Sequence, residues 1–355
     1  MQFIFSVIVF FSLLFFLWDV RLPMQDSIKE TWLWNKEGAF GTGIPKDGEN
    51  PLKTLNGYKT NQSYYSFSTR KFTNYIEPFS VDFAQLVPGY IEYEKIGDAV
   101  NFFSANGELF WNKPLNSYPR SGYHGSPVLY LSGDNNTVFL LDMSGNPVGA
   151  SELNGRFLTD YDFDKAGKGA SVLFSGGEVY RVDEKGNIIF RKDLSENRQN
   201  SFFKSISLSP NGEHSLIHFS LGQKDHLMIL NSKGDVQNEW ELPGFYPHKI
   251  YFSLSDSLNS LVNLPEKVLF FEEDELKWEK QKTKTGAIYQ TVYSQSEIFA
   301  YIFEKDVIFL NENGNEIRTK AISSSEAPIR FFPGRDKNTL YMETKKDIFQ
   351  FTIFR

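Results

Sequence analysis

One short apolar strand recurs seven times along this chain at near-constant spacing, and that recurrence constrains the fold more than any other feature. It reads Val100-Asn-Phe-Phe-Ser104, Val138-Phe-Leu-Leu-Asp142, Val179-Tyr-Arg-Val-Asp183, Leu227-Met-Ile-Leu-Asn231, Val268-Leu-Phe-Phe-Glu272, Val307-Ile-Phe-Leu-Asn311 and Ile348-Phe-Gln-Phe-Thr352. Every copy closes on a polar residue, and successive closing residues lie 38, 41, 48, 41, 39 and 41 positions apart. In five of the first six copies a Gly stands three residues further on: Gly107, Gly145, Gly186, Gly234 and Gly314. A Gly there admits positive φ, and the preceding Asp, Asn or Ser can bond the turn backbone, so each copy reads as a strand entering a tight hairpin. The fifth copy, Glu272 to Trp278, lacks one turn residue but keeps the aromatic that matches Trp111.

Further β runs precede these hairpins, such as Ser205 to Ser209 followed by His214 to Phe219. Units of about 40 residues holding four short strands signify β-propeller blades. A stacked β-helix needs shorter repeats, and a helical solenoid needs a 3.6-residue period that is absent. The predicted fold is therefore all-β, a seven-bladed propeller over residues 58–355. Six or eight blades follow if the first or the longest unit is miscounted. The seventh copy ends three residues before Arg355, so the outermost strand of that blade must come from the amino-terminal side. Tyr64 to Thr69 is the expected source, and joining first and last strands in one blade removes an unpaired edge.

The aromatic content, 34 Phe, 17 Tyr and 6 Trp or 16% of 355 residues, suits pleated, half-buried surfaces. A net charge of −7 argues against nucleic acid as a partner, since phosphate neutralisation needs a basic face. The absence of Cys removes disulfides, thiolate metal sites, a cysteine nucleophile and a lipid-modified amino-terminal cysteine. Membrane attachment then falls to Phe3–Trp18, an apolar run at the lower length limit of a bilayer span. It lacks a basic leader and a small-residue cleavage site, so an uncleaved signal anchor over residues 1–20 is expected, with a cleaved, secreted form as the alternative. The expected order is anchor, linker over 21–57, and propeller over 58–355. That places the propeller in the periplasm, on the outer side of the inner membrane.

The polar-x-x-Gly hairpin followed by a β run and Trp or Phe resembles the repeats of bacterial quinoprotein-dehydrogenase-like propellers, especially their non-enzymatic, outer-membrane-assembly relatives. Ser207-Leu-Ser-Pro-Asn-Gly212 separately resembles the Ser-Pro-Asp-Gly turn of WD40-like and TolB-type blades. The resemblance implies a periplasmic protein-interaction platform, as in the barrel-assembly lipoprotein B, with envelope proteins as partners.

Candidate chemistry is sparse, and neither an enzyme nor a bound cofactor is expected. Asp160-Tyr-Asp-Phe-Asp164 spaces three carboxylates by two, but an EF-hand loop would need Gly and Glu where Lys165 and Ser171 stand. On a strand the alternation puts the three acids outward and Tyr161 and Phe163 inward. His214 and His218 fall on one strand face about 13 Å apart, too far to share a metal ion. No metal site is expected. A sialidase Asp box fails as well, because Ser104-Ala-Asn-Gly-Glu-Leu-Phe-Trp111 puts Gly directly after Asn.

The connectors leading from one blade to the next each carry a base: Arg120, Arg156, Arg198, Lys249, Lys284 and Arg330. Tyr118-Pro-Arg120 and Tyr246-Pro-His248 add an aromatic, a proline and a base at two of them. In a propeller such connectors converge on one face around the central channel. A positively fringed, aromatic-lined face there would bind an acidic protein segment or an anionic polymer. The expected function is a non-catalytic interaction scaffold of the cell envelope, serving outer-membrane or cell-wall assembly. The alternative is an enzyme, or a small-ligand or polysaccharide sensor, using the central channel.

Overall fold

Strict alternation makes each repeated strand bury one set of side chains against the next blade, and the first residue of every copy, from Val100 to Ile348, is fully buried. The computed structural model describes residues 26–36 and 55–354, apart from 88, 126, 197, 284–291, 296, 305 and 322–327. Among them are eight antiparallel sheets, seven of four strands and one of three. At five junctions the first strands of neighbouring blades contact one another, which sets them innermost around a central channel. The repeated strand is the third in its blade, and the fourth lies at the perimeter.

The propeller has eight blades rather than seven. The additional one is the three-stranded sheet Gly57–Lys59, Ser63–Ser66 and Lys71–Asn74. Its strands are three or four residues long, and its second turn places Arg70, not Gly, at φ 57°. It therefore carries none of the repeat's signals. It coheres instead through aromatic packing: Tyr58 stacks on Tyr65 at 5.1 Å, and Phe67 meets Trp34 edge-on at 5.3 Å. The 48-residue spacing is a blade with long strands, Ser201–Leu208, Ser215–Leu221 and Lys224–Leu230, and not a further blade.

An amino-terminal strand does close the ring, but it is Ser27–Asn35, from the stretch read as linker. It pairs antiparallel with Asp347–Phe354, from Ser27 opposite Phe354 to Asn35 opposite Asp347. Its inward side chains, Ile28, Trp32 and Trp34, are buried. Tyr64 to Thr69 contributes to the middle strand of the three-stranded blade instead. The Phe3–Trp18 segment lies outside the described residues, among which no helix is long and apolar enough to cross a membrane.

The hairpin glycines do two jobs. All five have φ between +75° and +85°. Four also lie flat on the preceding blade: an added Cβ would stand 2.9 Å from Trp111 at Gly145, 2.8 Å from Val148 at Gly186, and 2.7 Å from Phe190 at Gly234 and from Trp278 at Gly314. Trp111 further donates its indole N–H to Met143 in the turn it supports, at 3.0 Å. Each of these four turns is thus locked onto its neighbour's outer strand.

Strand direction gives the disc two unlike faces. The connector face carries the blade-to-blade connectors and the turns between second and third strands. The hairpin face carries the remaining turns, including the glycine hairpins.

Candidate functional site: the connector face and channel

The innermost strands have one edge that no strand covers, and their N–H groups need acceptors. Acidic side chains of the preceding blade supply them. Asp82 accepts from Ser121 N–H at 2.8 Å, Asp160 from Ile206 N–H at 3.0 Å and Asp162 from Leu208 N–H at 2.7 Å. The acids of Asp160 to Asp164 therefore do not point outward: Asp160 is buried and Asp164 fully so, the latter ion-paired to Arg181 at 2.9 Å. Burial pushes the Asp82 and Asp160 carboxyls above their ordinary range, against the pull of Ser121 and Arg120 on one and Lys249 on the other.

The channel encloses a cavity of about 250 Å³ whose walls include Tyr123, Lys165, Tyr293 and Arg330. Its charges are largely matched. Lys249 pairs with Asp160 at 2.6 Å, Lys165 with Asp162 at 3.2 Å, and Arg330 with Glu343 at 2.7 Å. The Arg330 guanidinium also lies 5.3 Å from both the Phe83 and Phe332 rings.

Of the residues singled out from sequence, Arg120, Lys249 and Arg330 come together around this channel, where Arg120 and Arg330 share the field of Asp82. Arg156 and His248 are exposed on their connectors. Arg198 pairs with Glu239 at 2.7 Å. Tyr118 is half-buried, donates to Lys95 C=O at 2.9 Å and meets Tyr93 edge-on. Tyr246 is buried, its hydroxyl on Glu266 at 2.7 Å. Neither Tyr forms an open aromatic lining. Lys284 lies outside the described residues.

The exposed aromatics are others. Phe157 and Phe202, both 49% exposed, stand where two connectors pass into innermost strands, and Phe245, 52% exposed, stands within the next connector, close in sequence to Arg156, Arg198 and His248. Ile76 and Ile96 are also exposed on this face. In sequence, the only signal was an apolar residue inside a polar connector, beside a base.

A buried ionic cluster fixes the connector that presents Phe245. Asp225 accepts from His218 Nε2 at 2.9 Å, Lys204 Nζ at 2.7 Å and Tyr246 N–H at 2.8 Å. Lys204 also donates to Tyr246 C=O at 2.7 Å, and its ammonium sits 4.6 Å from the Phe245 ring. Burial lowers the His218 pKa below 6.5, outweighing the attraction of Asp225. Burial would raise Asp225, but the bonds from His218 and Lys204 overcome it and hold that carboxyl low. Both groups bind fewer protons folded than unfolded, so stability falls as pH drops below the unfolded His value and then through the Asp225 pKa. His218→Gln should flatten the first part of that loss. Urea unfolding from pH 7.5 to 5 should show wild type losing up to about 1.4 kcal/mol more per pH unit below 6.5 than the variant. Among the described residues no group of three His, Asp or Glu side chains could hold a metal ion.

No protein-family model matches the chain, and no curated protein matches it. Solved structures do. BamB from Moraxella catarrhalis superposes with a TM-score of 0.57 at 13% identity, over 92% of this chain and 99% of its own. KlHsv2 with loop 6CD replaced by a Gly-Ser linker gives 0.51 at 8% identity, over 74% and 93%. Virginiamycin B lyase from Staphylococcus aureus gives 0.48 at 12% identity, over 92% and 99%. At such identities the likeness defines the fold: this chain is a β-propeller similar in architecture to BamB.

Proposed function

We propose that this protein is a non-catalytic interaction scaffold of the bacterial cell envelope, anchored in the inner membrane by Phe3–Trp18 with its propeller in the periplasm. The observation that carries this reading is the arc of Phe157, Phe202 and Phe245 on a rigid framework, beside channel charges that are already paired internally. Half-exposed Phe side chains on three adjacent connectors supply apolar anchors, and Arg156 and His248 add exposed donors at the rim. The complementary partner is a segment of an envelope protein with apolar side chains among acidic ones. The similarity in architecture to BamB is a likeness of fold, and it supplies the propeller framework on which such docking would sit.

Phe157→Ser, Phe202→Ser and Phe245→Ser combined should lower partner recovery from crosslinked membranes by tenfold or more while leaving the melting temperature within a few degrees. Unchanged recovery contradicts the proposal. The 250 Å³ channel favours a second reading, a small-ligand sensor or enzyme. Native mass spectrometry showing a bound sugar or quinone in the purified protein would support that reading instead.

A further inference from the structure

We infer that the hairpin face lies against the lipid bilayer and the connector face points away from it. This rests on reading Phe3–Trp18 as the membrane anchor, and strand direction carries it. Ser27 pairs with Phe354, the end of a repeated strand, and in the other blades with this repeat that end leads into the hairpin. The chain therefore enters the closing strand at the hairpin face. Eight residues, 19–26, separate Trp18 from Ser27. Fully extended they reach about 30 Å. An anchor on the connector side would use about 20 Å of that simply passing the outer strand, leaving too little to clear the connectors.

A second observation points the same way. Just after the hairpin, on the hairpin side of the bulge in each pairing, four blades place a large apolar residue at the same register: Leu109 opposite Phe103, Ile188 opposite Val182, Val236 opposite Leu230 and Leu276 opposite Phe271. They are 55%, 40%, 44% and 46% exposed, and Phe354, beside Ser27, is 47% exposed. The equivalent residues in two other blades are Pro147 and Glu316. With the polar turns set among the lipid headgroups, such a rim adds apolar contact at the headgroup surface. The turns above it carry both signs, Glu108, Glu184, Glu273 and Asp274 beside Lys185 and Lys233, so the fitting surface is zwitterionic lipid rather than anionic lipid.

The chain has no Cys, so single cysteines report position directly. Full-length protein in phosphatidylcholine vesicles would carry an environment-sensitive fluorophore at Ser144→Cys or Ser232→Cys on the hairpin face, or at Asn136→Cys or Gln223→Cys on the connector face. Lipid-borne nitroxide should quench the first pair several-fold more than the second, and added anionic lipid should not increase the difference. Equal or reversed quenching in protein that floats with the vesicles overturns this inference alone. Failure to float overturns it together with the anchor reading.

Discussion

A chain beginning at residue 37 is expected to aggregate rather than fold, whereas one beginning at residue 26 should give a soluble, cooperatively melting propeller. The difference between them is the closing strand. Without it the whole edge of Asp347–Phe354 is unpaired, Trp32 and Trp34 no longer fill the seam between the last blade and the three-stranded one, and Ile28 no longer packs against the preceding blade on the other side. Burying three such side chains contributes about 5–9 kcal/mol, comparable with the entire stability of a typical domain. The ion pair of Lys320 with Glu30, at 2.5 Å, would also be lost. Light scattering and thermal unfolding of the two truncations provide the comparison. A cooperative melt from the shorter chain would show that the ring closes without its amino-terminal strand.

The second large effect concerns the hairpin glycines. Gly234→Ala should destabilise by about 3 kcal/mol and Gly107→Ala by about 1 kcal/mol in urea unfolding. Both residues hold left-handed backbone, at φ +79° and +85°, so both substitutions carry the conformational cost. Only at Gly234 does the new Cβ also strike the neighbouring blade, 2.7 Å from the Phe190 ring, whereas at Gly107 nothing lies within 4 Å. Equal losses at the two positions would mean that the turn conformation alone explains the repeat's glycine, with no role for docking between blades.

The same contrast explains which parts of the fold the sequence discloses. A period-two strand with a fixed turn leaves a mark that repeats, and all seven marked strands occupy the third position of a blade. The blade at 57–74 leaves none, because short strands and aromatic stacking need no turn motif. The closing strand was obscured by its bulge between Glu30 and Trp32, which breaks the pairing register, and by the Gly- and Pro-rich stretch after it. At the site, the bases were visible but their partners were not. Lys249 finds Asp160 across 89 residues, and only the closed ring brings them together. Only its place in a polar connector beside a base separates an exposed Phe157 or Phe245 from the many Phe side chains packed between blades.

Scaffolding through the connector face is tested most directly by placing a photo-crosslinking residue in growing cells at Phe157, Phe202 or Phe245, and in separate strains at Ser144 or Ser232 on the opposite face. Docking on the exposed aromatics should yield the same discrete protein adduct from the three Phe positions and none of it from the two Ser positions. Absence of that adduct, or its appearance equally from both faces, would contradict the proposed function.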